Sequence, residues 1–341
     1  MDLAALNKVA TAMTTPGKGI LAADESGGTI KKRFDAIGVE STEENRRDYR
    51  ELLFRSEKAM HNRISGVILF DETIRQKAAD GTPLVRVIEA AGSIPGIKVD
   101  KGAKPLPFCP GETITEGLDG LRERLIEYRE LGAKFCKWRA VIDIGPGIPS
   151  HDAINANAHA LARYAALCQE QDLVPIVEPE VLMDGDHTIE RCEAVTEWTL
   201  KTVFQELYYA KVKLEGMVLK PNMIVPGAEC ATQAPDQEIA ERTIRILKNC
   251  VPSAVPGIAF LSGGQSDVEA TARLDAMNRV GGFPWHLTFS YGRALQHAPQ
   301  VAWAGKTDNV SAAQAVFSHR AEMNGLATLG KWTPEIEKKA A

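Results

Sequence analysis

Residues Glu215–Asn222 read Glu-Gly-Met-Val-Leu-Lys-Pro-Asn, and this stretch decides how the rest of the chain is interpreted. Its apolar part is short enough for a buried strand, in which alternate side chains share a face, so Gly216, Val218 and Lys220 should point the same way. Pro221 has no N–H for a sheet ladder and favours an extended residue before it. We therefore expect a strand that ends with the Lys220 ammonium at its carboxyl end.

The position of Lys220 has two interpretations. Burial disfavours an ammonium and favours the neutral amine, which can attack a carbonyl group. A lysine at a strand end can instead extend its charge into solvent or form an ion pair. The residues around it in the fold decide between these roles.

The composition is that of an ordinary globular protein. Of 341 residues, 44% are hydrophobic and 25% are charged, and the formal net charge is −5, which argues against a general surface for nucleic acids or anionic membranes. The six cysteines include no Cys-x-x-Cys pair, a pattern typical of reduced thiols. The chain shows neither a secretory signal nor a long apolar run, so we expect a cytoplasmic protein that binds neither membranes nor nucleic acids.

Short apolar runs recur along the chain, with helical patterns between them such as the stripe Ile154, Ala158, Leu161, Ala165 and Cys168. Strands alternating with helices eight times predict an α/β fold, a single (β/α)8 TIM barrel. A doubly wound open sheet is the alternative that strand spacing leaves open. The predicted strands are Ile20–Ala23, Val67–Phe70, Ile97–Val99, Phe135–Ile142, Val174–Val181, Gly216–Lys220, Ile258–Ser262 and Leu287–Ser290.

One domain is predicted over 1–341, with the barrel at about 16–330. Met1–Thr14 is predicted to be a leading helix, and 331–341 a short, charged, weakly ordered tail. Asp308 is placed to cap a helix that starts at Val310 and reaches about Met323.

Polar residues end most of the predicted strands, where a TIM barrel builds its active site. Lys137 and Arg139 lie two apart on the fourth strand, and Glu178 and Glu180 two apart on the fifth. Like charges two apart on an inward face need counter-charges. We expect the two pairs to neutralise each other beside Lys220, which places a carboxylate there for proton transfer.

The last two strand ends carry small residues, backbone N–H groups and a guanidinium, which together can hold a phosphate: Ser262-Gly263-Gly264 and Ser290-Tyr291-Gly292-Arg293. An excess of positive charge in an acidic protein suits a small polyanion such as a sugar bisphosphate. Six cationic candidates stand against three anionic ones, a balance of +3: Arg33, Lys101, Lys137, Arg139, Lys220 and Arg293 against Asp24, Glu178 and Glu180.

Seven motifs, in order over about 16–330, closely resemble class I fructose-bisphosphate aldolase. They are Gly-Lys-Gly-Ile-Leu-Ala-Ala-Asp-Glu-Ser (17–26), Lys-Val-Asp-Lys-Gly (98–102), Lys-Trp-Arg (137–139), Val-Glu-Pro-Glu (177–180), Leu-Lys-Pro-Asn (219–222), Phe-Leu-Ser-Gly-Gly-Gln (260–265) and Leu-Thr-Phe-Ser-Tyr-Gly-Arg-Ala-Leu-Gln (287–296).

The resemblance implies a TIM barrel, typically a homotetramer, that reversibly cleaves fructose 1,6-bisphosphate to dihydroxyacetone phosphate and glyceraldehyde 3-phosphate without a metal or other cofactor. By motif, Lys220 is similar to the Schiff-base lysine. Glu178 resembles the acid and base of the carbinolamine steps, and Asp24 the base for the C4 hydroxyl proton. Lys137 and Glu180 resemble the residues that balance the charge around the lysine.

The phosphate contacts are also carried over by motif. The C1 phosphate is expected at Ser262, Gly263, Gly292 and Arg293, with Ser290 as a further phosphate contact. The C6 end is expected at Arg33, Lys101 and Arg139.

The chain departs from the family in two places. The vertebrate members end in a tyrosine that assists proton exchange on the enamine, and no tyrosine follows Lys331 here, so we expect slower protonation or another acid. The turn Gly27-Gly28-Thr29 before Arg33 also differs from the family, which bears on the C6 phosphate contacts.

Other functions are less consistent with the sequence. The seven histidines lack the spacing of a metal site, and His187 is expected to have a structural or capping role. No Gly-x-Gly-x-x-Gly follows a strand, which disfavours a nicotinamide enzyme. A transaldolase-like or sedoheptulose-bisphosphate-cleaving enzyme would keep the lysine, whereas a non-catalytic scaffold would have lost a key residue.

Two features are predicted to be structural. Trp138 should face away from the barrel interior and pack against a helix. The charged run Glu43–Arg50 is expected to be a solvated helix face rather than part of a site.

Overall fold

Eight parallel strands close into a barrel in the computed structural model, which describes residues 1–339. They follow one another around the barrel in chain order, and the first pairs with the last through Ile20 and Ser290. This closure confirms the TIM barrel and excludes the open sheet. The strands are β1 (Gly19–Ala23), β2 (Ile64–Leu69), β3 (Ile94–Lys98), the hairpin β4 (Ala103–Pro105) and β5 (Thr113–Thr115) outside the barrel, β6 (Phe135–Ile142), β7 (Val174–Val181), β8 (Val218–Leu219), β9 (Gly257–Phe260) and β10 (His286–Tyr291).

Helices surround the barrel. None within residues 1–339 is both long and apolar enough to cross a membrane. They are α1 (Leu3–Met13), α2 (Gly27–Asp35), α3 (Glu43–Phe54), α4 (Glu57–Arg63), α5 (Asp71–Arg75), α6 (Leu84–Ala90), α7 (Leu121–Glu130), α8 (His151–Glu170), α9 (Ile189–Tyr209), α10 (Asp236–Cys250), α11 (Asp267–Val280), α12 (Arg293–Trp303), α13 (Val310–Ala327) and α14 (Pro334–Lys339).

The strand that precedes Lys220 is shorter than predicted. β8 contains only Val218 and Leu219, because Leu214–Gly216 forms a 3-10 turn. Lys220 follows the strand, and its backbone N–H still donates to the carbonyl of Val177 at 2.8 Å. The ladder to β7 therefore extends to the lysine and holds its backbone extended.

Two apolar layers follow from the alternation of side chains along the strands. Ile176 and Val218 belong to the cluster inside the barrel, whereas Leu219 packs outward against the helices. Leu6 and Met13 of α1 are buried in the interior cluster, so the predicted leading helix covers one end of the barrel. The apolar filling leaves the opposite, carboxyl end for polar groups.

Both predictions near the C-terminus need correction. Asp308 lies in the 3-10 turn Thr307–Asn309. Asn309, rather than Asp308, occupies the N-cap position before α13. The expected weakly ordered tail instead includes α14, whose Glu337 accepts a hydrogen bond from the indole of buried Trp332 at 2.7 Å. The last two tail residues, 340 and 341, lie outside the described residues.

The structure confirms one of the two structural predictions and corrects the other. Trp138 is fully buried and packs on Tyr164 of α8 with 5.5 Å between ring centroids, as predicted. The solvated-face prediction for Glu43–Arg50 is wrong at its end, because Arg50 is only 1% exposed. Helical periodicity turns this side chain towards the barrel while Glu43 and Glu44 remain exposed.

Replacing Gly96 by Ala should destabilise the barrel, because the added Cβ would lie 2.3 Å from the ring of Phe135. Forcing a methyl group into a packed core costs about 1–3 kcal/mol, so the midpoint of thermal unfolding should fall. The matched control is Gly28→Ala in α2, where an added Cβ meets nothing within 4 Å and no loss is expected. An unchanged midpoint for Gly96→Ala would contradict this account of the interior.

Candidate active site

A cavity of about 250 Å³ opens at the carboxyl ends of the barrel strands. It gathers twelve of the thirteen residues predicted for the site, all except Lys101. It is lined by Ala22, Asp24, Glu25, Ser26, Thr29, Arg33, Lys98, Lys137, Arg139, Glu178, Glu180, Lys220, Leu261, Ser262, Gly263, Ser290, Gly292 and Arg293.

The segment after β8 holds Lys220 in place. Asn222 is buried, and its side-chain oxygen accepts the backbone N–H of Val181 at 3.1 Å while its amide donates to Thr196 at 3.1 Å. On the other side, the carbonyl of Pro221 accepts the N–H of Leu261. The Lys-Pro-Asn segment is thus tied to both neighbouring strands, and the lysine chain points into the cavity.

Four charged side chains form a buried row across the cavity. Lys220 Nζ lies 3.1 Å from Glu178 Oε1, and Lys137 Nζ lies 3.2 Å from Glu178 Oε2. Lys137 Nζ also lies 2.7 Å from Asp24 Oδ2. Each of these side chains is at most 11% exposed. The predicted contact between the charged residues of β6 and β7 beside Lys220 is confirmed for Lys137 and Glu178.

Opposite charges keep Asp24 and Lys137 ionised in spite of their burial. Burial alone would raise the pKa of Asp24, but the attraction of Lys137 and Lys220 outweighs burial and lowers the pKa to about 2. Burial alone would lower the pKa of Lys137, but Asp24 and Glu178 raise it far above its ordinary value. Asp24 is therefore an ionised proton acceptor, and Lys137 a permanent cation, at neutral pH.

A second pair stands beside the first. Arg139 Nε and Glu180 Oε2 form an ion pair, and although burial opposes the charge, Glu180 raises the pKa of Arg139. Asp100 accepts the backbone N–H of Arg139 at 3.2 Å. This arginine keeps 40% of its side chain exposed, so its guanidinium remains accessible from the cavity.

The structure brings Lys98 rather than Lys101 to the cavity. Lys98 Nζ lies 2.7 Å from Asp100 Oδ1, whereas Lys101 lines a neighbouring cavity that Lys98 also borders. Strand parity could have indicated this, because Lys98 lies two residues after Gly96, which faces the interior ring of Phe135. The motif match had assigned this role to Lys101, the second lysine of Lys-Val-Asp-Lys.

The strand ends on the β9–β10 side offer a site for an anion. Ser262 is buried, Gly263 has a φ of 55°, and Gly292 immediately precedes α12. Ser290 Oγ is buried and has no hydrogen-bond partner within residues 1–339. Arg293 donates to the carbonyl of Gln265 at 3.0 Å and forms no ion pair with any described side chain, so its charge is available to a phosphate.

Arg33 belongs to this same side. A Cβ built on Gly292 would lie 3.7 Å from Arg33 Nη2, and β1 is the neighbour of β10 in the barrel. Arg139 extends from β6, across the barrel from that pair. Arg33 and Arg139, which were predicted to hold the C6 phosphate together, therefore extend from opposite sides of the barrel into one cavity.

The charge balance differs slightly from the prediction. Lys98 takes the place of Lys101 among the cations of the cavity. Glu25 is a fourth anion, and it pairs with Arg33. Six cations minus four anions give +2, still positive in a chain of net charge −5. The site thus remains suited to a polyanion.

His187 was expected to be structural, and its backbone fits that role. The histidine is buried, and its carbonyl accepts the N–H of Gly227 at 2.8 Å. Burial lowers the pKa of the imidazole. It does not line the cavity.

Comparisons with known proteins agree with this geometry. The profile of a family described as fructose-bisphosphate aldolase class-I matches residues 5–341. A relative from Xanthomonas campestris, named probable fructose-bisphosphate aldolase class 1, is 58% identical over 97% of this chain and 99% of its own length. Fructose-bisphosphate aldolase 5, cytosolic, from Arabidopsis thaliana is 56% identical over 96% of this chain and 91% of its own.

A solved structure agrees as well. The fructose-bisphosphate aldolase of Plasmodium falciparum, solved in complex with TRAP and a small-molecule inhibitor, superposes with a TM-score of 0.95 at 49% identity, covering 97% of this chain and 96% of that one. Together with the buried lysine and its carboxylates, these matches establish that the chain belongs to the class I fructose-bisphosphate aldolase family.

Proposed function

We propose that this protein reversibly cleaves fructose 1,6-bisphosphate to dihydroxyacetone phosphate and glyceraldehyde 3-phosphate through a Schiff base on Lys220. The observation that carries the proposal is the placement of Lys220 Nζ 3.1 Å from Glu178 Oε1 in a buried, positively charged cavity. Family membership supports the substrate. Asp24, Glu178 and Lys220, which a non-catalytic scaffold was expected to have lost in part, are all present and adjacent.

The chemistry assigns a task to each buried group. Lys220 first passes a proton to Glu178, whose Oε1 lies 3.1 Å from Nζ. The freed amine adds to the C2 ketone, and the resulting carbinolamine loses water when Glu178 gives that proton to the leaving oxygen. Asp24 accepts the C4 hydroxyl proton as the C3–C4 bond breaks, and the electron pair moves into the iminium to form an enamine. Glyceraldehyde 3-phosphate leaves, C3 is protonated, and hydrolysis releases dihydroxyacetone phosphate and the free amine.

The charges around the lysine support these steps. Lys137 donates to Asp24 at 2.7 Å and lies 3.2 Å from Glu178, so it can hold both carboxylates where protons must move. Glu180 offsets the charge of Arg139 beside them. A fixed arrangement of charges in a buried site acts without the reorganisation that water would need.

The two phosphates are proposed to bind at opposite ends of the cavity. The C1 phosphate is assigned to the β9–β10 strand ends, where small residues and the start of α12 expose N–H groups, with these contacts: Ser262, Gly263, Ser290, Gly292 and Arg293. The position of Arg33 beside Gly292 supports adding it to that end. The C6 phosphate is assigned to Lys98 and Arg139. Binding energy from both ends fixes C2 over the lysine.

We also propose a domain organisation, an assembly and a location. A single domain over 1–341, a homotetramer and a cytoplasmic location are what family resemblance implies, and one relative is named as cytosolic.

Trapping the covalent intermediate tests the lysine. Incubation with dihydroxyacetone phosphate and borohydride should give one adduct, which peptide mass mapping should locate on Lys220. Lys220→Met should lose cleavage activity by about three orders of magnitude or more, because the variant lacks the amine proposed to form the imine. EDTA should leave the unmodified enzyme active. Full activity in Lys220→Met would overturn the mechanism, and so would loss of activity when EDTA is added to the unmodified enzyme.

Comparing Lys98 with Lys101 tests the C6 end. Lys98→Met should raise KM for fructose 1,6-bisphosphate about tenfold, since a hydrogen bond to a charged group contributes about 1.5–3 kcal/mol. Lys101→Met, the matched control in the neighbouring cavity, should stay within about twofold of the unmodified KM. A larger effect from Lys101 would restore the assignment based on motif alone.

The pH dependence of the reaction tests Lys137. Asp24 has a pKa of about 2 because Lys137 and Lys220 outweigh burial, so it stays ionised throughout the usual assay range. In Lys137→Met one of the lowering charges is lost while burial remains, so this pKa should rise and protonation should begin at higher pH. The acid limb of kcat/KM should therefore move to higher pH; a limb that does not move, with only a uniform loss of rate, would exclude this role.

A further inference from the structure

Glu25 is a buried carboxylate to which the proposed chemistry gives no task. It follows Asp24 at the end of β1, and its side chain is only 5% exposed. A buried carboxylate is costly unless it is paired and hydrogen-bonded. Three side chains meet this need from three different helices, and we call them, with Glu25, the Glu25 cluster: Glu25, Arg33, Arg50 and Gln296.

Arg50 supports the carboxylate from α3. It is 1% exposed, its Nη2 donates to the Glu25 carbonyl at 3.1 Å, and the same nitrogen lies 3.8 Å from Glu25 Oε2. Burial lowers the pKa of Arg50 despite the attraction of Glu25 and Glu72. Arg50 does not line the cavity, and Glu25, which does, is one of its two carboxylate partners, the other being Glu72.

Gln296 supports the carboxylate from α12. It is fully buried, and its Nε2 donates both to the carbonyl of Ala22 on β1 and to Glu25 Oε1, each at 2.7 Å. The Tyr49 hydroxyl in turn donates to the Gln296 carbonyl at 3.2 Å. Arg293 is the first residue of α12. The Gln296 amide therefore links the helix that carries Arg293 to the carboxylate that holds Arg33.

Arg33 is the member of the Glu25 cluster that reaches the cavity. Its Nη1 pairs with Glu25 Oε1 while 24% of its side chain stays exposed, and Glu25 is its only ion-pair partner within residues 1–339. Its Nη2 lies 3.7 Å from where a Cβ of Gly292 would stand. Removing Glu25 would leave a long, flexible side chain without its anchor.

We propose that Glu25 is a positioning residue that, held by Arg50 and Gln296, fixes the Arg33 guanidinium beside Gly292 and Arg293 so that two guanidiniums share one phosphate site. The proposal rests on the proposed aldolase function and deepens it. Glu25 thereby contributes to the preference for phosphorylated substrates without touching the reacting bond.

Charge and position predict opposite results for Glu25→Gln. If Glu25 acted only through its negative charge, removing it would strengthen phosphate binding and lower KM. If it positions Arg33, KM for fructose 1,6-bisphosphate should rise about tenfold with kcat within about twofold of the unmodified value, since only binding at a remote group is lost. Glu25→Asp keeps the charge but shortens the side chain, so it should also raise KM.

A double-mutant cycle separates positioning from general damage. Arg33→Leu should raise KM at least as much as Glu25→Gln, and Glu25→Gln should add less than about twofold in the Arg33→Leu background. Gln296→Met, which removes the donor and keeps the length, should raise KM by a smaller factor that also disappears without Arg33. Effects that multiply in the double variant, or a KM that falls, would overturn the proposal.

Two controls complete the experiment. Glu322→Gln removes a carboxylate that accepts two hydrogen bonds from Arg63, both at 2.7 Å, outside the cavity; it should leave KM unchanged. Borohydride trapping with saturating dihydroxyacetone phosphate should still label Lys220 in Glu25→Gln. Loss of labelling in the unmodified enzyme as well would count against the aldolase function, whereas normal labelling with an unchanged KM would count against positioning alone.

Discussion

The carboxylate of Glu178, shared between the ammonium groups of Lys137 and Lys220 at 3.2 and 3.1 Å, is the interaction on which the rest of the site depends. Three charges in a place almost without solvent are tolerable only because each has a partner. The 3.1 Å contact also lets Glu178 take a proton from Lys220 and return it when the imine forms. Stability and chemistry therefore require the same arrangement.

The barrel makes that arrangement possible. Inward side chains below the site are apolar, and α1 covers the far end through Leu6 and Met13, so water is excluded from beneath the charged row. Above it, the strands end and polar side chains begin. The charged row lies at this boundary, where it is desolvated enough for its electrostatics to be strong and open enough for a substrate to enter.

The phosphate ends follow a related logic. Lys98 and Arg33 are each held by a buried acid, Asp100 and Glu25 respectively, while Arg293 donates to the backbone carbonyls of Gly263 and Gln265. An ion pair with a carboxylate offsets part of the positive charge of the cation but holds its side chain in one orientation. A site that must hold a ligand at two distant points gains more from fixed directions than from additional charge.

Much of the fold, and most of the residues of the candidate site, could be predicted from the sequence. Period-two alternation in Phe135–Ile142 and Val174–Val181 reports which side chains point inward, because a strand's geometry is local, and the eight recurring runs then predict a barrel. The charged pairs on those strands, and the lysine after Val218 and Leu219, were found in the same way. A resemblance spread over seven motifs added the reaction.

Only the tertiary structure decided which residues come together from distant segments. Lys98 took the place of Lys101 because a strand that begins at Ile94 gives Lys98 the inward parity, and such boundaries depend on pairing with neighbouring strands. Arg33 joined Gly292 because barrel closure makes the first strand adjacent to the last. Arg50 proved buried because α3 packs this side chain against the carbonyl and the carboxylate of Glu25. The two residues lie 25 apart in the chain, so the contact leaves no local pattern.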